Sequence, residues 1–250
     1  MNNKEKVAMV TGSSRGIGKA IALDMAASGW RIIVHGSKES DALRASLGAV
    51  QNLSPSSTMA VADLSDSDAI RKMFSRVNRL DVLVNNAATQ NPSPFLDLKE
   101  EDWDRVLAVN LKAPFLCSQL AARLMRQDKS GGKIVNISSV HALDAKRNYA
   151  HYSSSKGGLE TLTKGMAMEL VPFNIQVNSI IVGAIATEMT PAERQSKLLS
   201  AIPANRIGEP GEIARLVTFL CSERCNYMTG ASITVDGGLT LGFCASRPDL

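Results

Sequence analysis

Long apolar runs are missing from this 250-residue chain. None reaches the roughly 18 to 20 residues that a membrane-spanning helix needs, so no membrane partner is expected. The opening stretch Met1–Lys6 leads straight into a short strand-like run, without the apolar core of a signal peptide. Cysteine is scarce: Cys117, Cys221, Cys225 and Cys244 are the four. Cys221 and Cys225 would share one helix face, but no third or fourth ligand stands near them, so no metal site is expected. Reduced thiols in a cytoplasmic protein are the simpler reading. Charge of one sign is not concentrated either. Lys and Arg total 28 against 24 Asp and Glu, a net +4 spread along the chain. Without a basic run, nucleic acid is not an expected partner. A mildly positive protein that binds a polyanionic cofactor fits better. Linkers rich in Pro, Gly or Ser and internal repeats are absent too, so residues 1–250 are read as one domain.

What is present is an alternation of short apolar runs with helical patterns. Strands are expected at Val7–Val10, Ile32–Val34, Met59–Val61, Val82–Val84, Ile134–Ile137, Ile175–Ile180 and Ser232–Val235. Between them run helical patterns at Ile17–Ala27, Asp41–Leu47, Asp66–Val77, Glu100–Arg126, Tyr152–Leu170 and Gly211–Cys221. The fourth of these should be interrupted or bent near Pro114, which has no N–H to give. Fully apolar strands separated by helices imply a parallel sheet covered on both faces. The expected fold class is α/β, a doubly wound, Rossmann-type, seven-stranded parallel sheet. Residues 186–208 are polar and weakly patterned and follow a strand. They should lie at the carboxyl edge of the sheet and serve as a substrate lid.

The run Thr11-Gly12-Ser13-Ser14-Arg15-Gly16-Ile17-Gly18 lies between the first strand and the first helix. A pyrophosphate there needs backbone N–H groups at close range and the positive end of a helix. Gly12 permits the tight turn, Gly16 close backbone approach, and Gly18 close packing of the helix. The spacing Gly-x-x-x-Gly-x-Gly differs from the commoner Gly-x-Gly-x-x-Gly. An NAD site usually has an acid at the end of the second strand, where it binds the ribose hydroxyls. Here that strand ends Val34-His35-Gly36-Ser37-Lys38, with no acid. Ser37, Lys38 and Arg15 can donate to a 2′-phosphate, so NADP(H) is favoured and NAD(H) is the alternative.

Tyr152 and Lys156 stand at i and i+4 and so share a helix face. A phenol titrates near pH 10. The Lys156 ammonium, with the positive ring of an oxidised nicotinamide, should lower that value and fit the phenol for acid–base work. Ser139 follows the fifth strand, thirteen residues before Tyr152, and can hydrogen-bond a substrate oxygen. Tyr149 is a local contrast, because Ser153, not a lysine, occupies its i+4 position.

With these segments the chain resembles the short-chain dehydrogenase/reductase family over nearly its whole length. The matching segments are Thr11–Gly18, Asp63-Leu64, Asn85-Asn86-Ala87, Asn110, Ser139, Tyr152–Lys156 and Val182–Thr187. The resemblance implies that Asp63 and Leu64 contact adenine and that Asn86 and Ala87 line the cofactor cleft. It implies that Gly183 belongs to the same cleft and that Ile185 and Thr187 anchor the carboxamide and phosphate. Ser14, within the glycine turn, joins the cofactor contacts. Lys156 would bind the nicotinamide ribose, and Asn110 would hold a water linking Lys156 to solvent. Tyr152 would exchange a proton with the substrate oxygen. A homotetramer is implied as well.

Two positions depart from the family pattern. Ala88 replaces the usual glycine after Asn-Asn-Ala, so that turn cannot rely on a glycine conformation. Val182 replaces the usual proline before Gly183, which loosens one constraint on φ. Around the site, His141 can reach a substrate, Asp144, Lys146 and Arg147 share its loop, and His151 and Trp103 are read as structural. The expected function is an NADP(H)-dependent oxidoreductase that interconverts a secondary alcohol and a carbonyl in a small molecule. The polar loop 141–148 favours a sugar or polyol, and the Ser-Ser-Val-His run resembles sugar-dehydrogenase members. A 3-oxoacyl thioester or another ketone is the alternative. A non-catalytic NADP-binding regulatory module is the alternative of another class.

Overall fold

A computed structural model describes residues 5–127, 131–188 and 199–241. Seven strands form one sheet: β1 (Val7–Val10), β2 (Arg31–Gly36), β3 (Thr58–Val61), β4 (Val82–Asn85), β5 (Gly132–Ile137), β6 (Ile175–Val182) and β7 (Ser232–Val235). Their order is β3-β2-β1-β4-β5-β6-β7, and every neighbouring pair is parallel. The helices are α1 (Gly16–Ala27), α2 (Asp41–Gln51), α3 (Ser67–Phe74), α4 (Glu100–Leu107), α5 (Ala113–Gln127), α6 (Ala150–Leu170) and α7 (Pro210–Cys221).

Alternation along the strands divides the core into two layers. In β1, Ala8 and Val10 join the layer that contains Ile21 and Met25 of α1 and Ile213 and Val217 of α7. Val7 and Met9 face the other layer, with Ile70 of α3 and Leu116 and Met125 of α5. Sheet burial on both faces explains why the strands read as continuous apolar runs. Local capping fixes the helix starts. Ser40 Oγ accepts from Leu43 N ahead of α2, and Asp66 Oδ1 accepts from Asp68 N and Ala69 N ahead of α3.

Several details differ from the sequence reading. The long helical pattern is three pieces, with a π-helical turn, Ala108–Lys112, between α4 and α5. Pro114 cannot donate to the carbonyl four residues back, that of Asn110, so the α ladder opens there. β6 runs on to Val182, which pairs with Val235, and Gly183 N donates to Val235 O at 3.0 Å. Because Val182 is not proline, its N–H can stay in the ladder. Ala88 has no left-handed backbone, so the missing glycine costs that turn nothing. Strand order reverses between β1 and β4, which places a crevice at their carboxyl ends.

Candidate active site

The turn after β1 is built by its neighbours. Thr11 N donates to Val84 O at 3.0 Å, and Thr11 Oγ1 accepts from Asn86 N and Ala87 N at 2.9 and 3.0 Å. Asn86 Nδ2 returns two bonds, to Thr11 O and Gly12 O at 2.9 and 3.1 Å. Gly12 has φ +63°, and a Cβ there would stand 2.8 Å from Ala87 Cα. Only glycine meets both conditions. Gly18 excludes a Cβ because the Asn86 amide and the Gly12 carbonyl already fill that space, so it packs on the turn itself. At Gly16, with φ +55°, an added Cβ would stand 3.5 Å from the Thr187 methyl. The first N–H groups of α1 have no acceptor within the helix and point their partial charge at this opening.

At the far end, Asp63 accepts from Ser65 N and Ser65 Oγ at 2.9 and 2.8 Å, and Arg105 lies 3.9 Å away. The Ser65 bonds hold its carboxyl below the usual range, against a smaller opposing effect of burial. Ser37 lines the cleft, and so do Arg15 and Gly36, but Lys38 does not. The Lys38 side chain is exposed, beyond the end of β2 where the chain turns out toward α2. Arg15 is ion-paired with Glu188 at 2.9 Å, which spans the opening from the glycine turn to the segment after β6. That segment leaves and returns at one point: Ile185 bridges Gly208, and Ala186 N donates to Gly208 O at 2.8 Å. Of the expected lid, residues 189–198 lie outside the described residues.

Ser139, at the end of β5, lies beside Tyr152 near the start of α6. The Ser139 side chain acts on the Tyr152 phenol to lower its pKa, and Ser139 Oγ accepts from His141 N at 3.2 Å. Lys156 is 3% exposed and donates from Nζ to Ile137 O at 2.9 Å. Its Nζ stands 5.8 Å from the centre of the Tyr152 ring. Burial pulls the lysine down to about 8, with Glu160 acting in the opposite sense. The tyrosine behaves differently from the sequence expectation. Burial pushes the phenol above its ordinary value, Ser139 offsets part of that, and Lys156 is not among the causes. Desolvation of the phenolate outweighs a lysine placed over the ring rather than at the hydroxyl.

Asn110 does not line the cleft. It is fully buried in the π-helical turn, with its side chain fully engaged. Its Oδ1 accepts from Thr89 N at 2.8 Å, and its Nδ2 donates to Thr89 O at 2.9 Å and Ser155 Oγ at 3.1 Å. Ser155 Oγ in turn donates to Tyr152 O at 2.7 Å. Asn110 therefore ties the loop after β4 to the helix that carries Tyr152.

His141 lies edge-on to Tyr152, with centroids 6.2 Å apart, and 6.1 Å from Tyr149, which is buried. Lys146 covers the other ring, 4.6 Å from the Tyr149 centroid. Sequence reasoning took Tyr149 only as a contrast and missed this aromatic group, whose members share one loop and the start of one helix. His151 is fully buried away from the cleft lining, with neither ring nitrogen hydrogen-bonded. Trp103 is 36% exposed on α4 rather than packed into the core. Cys117, Cys221 and Cys225 are buried free thiols, and burial pushes Cys117 and Cys221 up to about 12. Cys244 lies outside the described residues.

The glycine turn, Asp63, Ser139, His141, Tyr152 and Lys156 line one cleft of about 890 Å³. Its residues fit a dinucleotide. The glycine turn leaves room for a phosphate, and Lys156 keeps donors beyond its bond to Ile137. Ser138 lines the cleft, and its buried hydroxyl has no hydrogen-bond partner among the described residues.

The sequence profile described as enoyl-(acyl carrier protein) reductase matches residues 12–240. The chain is 39% identical over 251 residues to an uncharacterized oxidoreductase of Escherichia coli K12, YohF, covering 98% of this chain and 99% of that one. It is 36% identical over 241 residues to a 3-oxoacyl-(acyl-carrier-protein) reductase of Synechocystis, covering 94% of this chain and 97% of that one. The crystal structure of acetoin dehydrogenase from Enterobacter cloacae matches with a TM-score of 0.90 at 40% identity, covering 99% of this chain and 100% of that one.

Proposed function

The chain belongs to the short-chain dehydrogenase/reductase family, whose members interconvert alcohols and carbonyls, and we propose that this one works with NADP(H) on a small hydroxylated substrate. One observation carries the reading. Ser139, Tyr152 and the buried Lys156, whose Nζ lies 5.8 Å from the Tyr152 ring centre, line one cleft together with the glycine turn of residues 12–18.

The roles follow from that arrangement. The turn from Gly12 through Ser14, Arg15, Gly16, Ile17 and Gly18 holds the pyrophosphate. Asp63 and Leu64 hold adenine, and Asn86, Ala87, Gly183, Ile185 and Thr187 line the path between them and the reacting end. When bound, the nicotinamide supplies or accepts the hydride. Ser139 donates to the substrate oxygen and orients it. In reduction, Tyr152 gives that oxygen its proton; in oxidation it takes the proton away. Burial keeps the phenol protonated in the free protein, which suits it to donate. Lys156 moves the proton onward, and Asn110 holds α6 in register with the loop after β4.

NADP(H) rather than NAD(H) is supported by the lack of an acid among the cleft-lining residues at the end of β2, where Ser37 stands, and by Arg15 of the glycine turn in the same lining. The substrate class is supported by His141, which is placed edge-on to Tyr152 and can donate to a second oxygen. A sugar, a polyol or an acetoin-type hydroxyketone presents such an oxygen next to the reacting carbon. A 3-oxoacyl thioester is the second reading, favoured by the Synechocystis relative. Assembly as a homotetramer completes the proposal. The large apolar side chains of Phe115, Met168 and Phe219, which the single chain leaves exposed, support it.

The test is a substrate panel with NADPH and NADH, run on the wild type and Tyr152→Phe. Turnover of hydroxyketones or polyols and a loss of about 10² to 10⁴-fold in Tyr152→Phe are expected, with cofactor binding kept. Undiminished turnover by Tyr152→Phe sinks the mechanism. Turnover of 3-oxoacyl thioesters alone moves the substrate to the second reading.

A further inference from the structure

His35 is 1% exposed at the end of β2, and both of its ring nitrogens meet backbone groups of the cleft. Nδ1 accepts from Gly12 N at 3.1 Å. Nε2 lies 3.1 Å from Ala62 O. An amide N–H can only donate, and a carbonyl can only accept. One ring satisfies both: the neutral tautomer with the lone pair on Nδ1 and the proton on Nε2. The imidazolium would set an N–H against the Gly12 N–H, and the other neutral tautomer would lose both bonds.

The two partners belong to different ends of the cleft. Gly12 opens the turn that runs on to Gly18. Ala62 immediately precedes Asp63 and Leu64. The backbone of the same residue holds the turn a second time. His35 N donates to Ser13 Oγ at 2.8 Å, and Ser13 N donates to His35 O at 2.9 Å. Ser46 Oγ of α2 adds a bond to Ser13 O at 2.7 Å. With the Gly12 N–H turned inward to the ring, it is the later amides of the turn that remain for a phosphate.

We propose that His35 is a positioning residue for the cofactor: a neutral imidazole of one tautomer that fixes the phosphate turn relative to the adenine end of the cleft. It touches neither the reacting atoms nor the substrate, and it acts through Gly12 and Ala62. The proposal rests on the reading of this cleft as a dinucleotide site. Burial supports it by holding the ring down at about 4, against the opposing pull of the Ala62 bond, so the ring stays neutral at ordinary pH.

The experiment has two arms. In the first, nitrogen-15 spectra of the wild type, with no variant needed, should show Nδ1 unprotonated and Nε2 protonated from pH 6 to 8. A ring protonated on Nδ1 overturns the proposal. In the second, calorimetry measures the Kd of NADP+, NAD+ and ADP on the wild type, His35→Leu and His35→Asn. ADP carries only the pyrophosphate and adenine. His35→Leu should weaken the preferred dinucleotide and ADP alike by at least ~10-fold. The cofactor KM should rise while kcat at saturating cofactor stays within about threefold. His35→Asn, which keeps an acceptor near Gly12 N, should recover part of the loss. A folded His35→Leu that binds ADP as tightly as the wild type overturns the proposal, as does a fall in kcat at unchanged Kd. Failure of the wild type to bind either dinucleotide is a separate result and refutes the cofactor reading itself.

Discussion

Replacement of Lys156 by Met should trade activity for stability, with a signature in pH. The lysine is 3% exposed, and burial lowers it from 10.5 to about 8. At ~1.4 kcal/mol per pH unit, keeping that ammonium charged in its site costs ~3 kcal/mol relative to water. Met has a similar stem and no charge. It forfeits the 2.9 Å bond to Ile137 O, which costs about 1–3 kcal/mol if that carbonyl is left without a donor. Below pH 8, therefore, the variant should equal the wild type or exceed it by up to ~2 kcal/mol. Between about 8 and 10.5 the unfolded lysine binds a proton that the folded one does not, so wild-type stability rises with pH. Over that window the variant should lose ~3 kcal/mol relative to the wild type. Urea unfolding of both proteins at one concentration, from pH 7 to 10.5, measures this, and the difference cancels the titration of every other group. A difference that does not change with pH, or a variant already less stable by several kcal/mol at pH 7, refutes the account of Lys156 as a charge held at a cost for function.

Three further outcomes are expected. In steady-state kinetics, kcat/KM for carbonyl reduction should fall above pH about 8, as Lys156 loses the proton it passes to Tyr152. A flat profile to pH 9 contradicts that role. Gly12→Ala adds a Cβ 2.8 Å from Ala87 Cα at φ +63°, so thermal unfolding should show a loss of ~2–4 kcal/mol and calorimetry a weaker cofactor. Glu188→Gln removes the 2.9 Å partner of Arg15 and frees that guanidinium for a 2′-phosphate. NADP+ should bind severalfold tighter with NAD+ unchanged, and an equal gain for both cofactors would place Arg15 elsewhere.

Much of the site was legible because its signals are local. The glycine turn, the i+4 pair Tyr152–Lys156 and Ser139 after a strand each sit within one turn or one element, where spacing alone fixes direction. The bend near Pro114 was legible for the same reason, since a missing N–H acts on its own helix. Whether the exposed Lys38 lines the cleft was not legible, because its neighbours Gly36 and Ser37 do line it and Lys38 does not. The rise of the Tyr152 pKa was misread because a charge at i+4 is visible in sequence and desolvation is not.

By itself, then, the sequence determined the element types, their parallel arrangement and the candidate reacting groups, since all of these follow from periodicity, capping and residue chemistry. Only the tertiary structure decided what joins them. The order β3-β2-β1-β4-β5-β6-β7 brings His35 against Gly12 and Ala62, Asn110 against Thr89 and Ser155, and Arg15 against Glu188. Each of these contacts joins segments far apart in the chain. Their geometry depends on which strands lie side by side, and no local spacing encodes that.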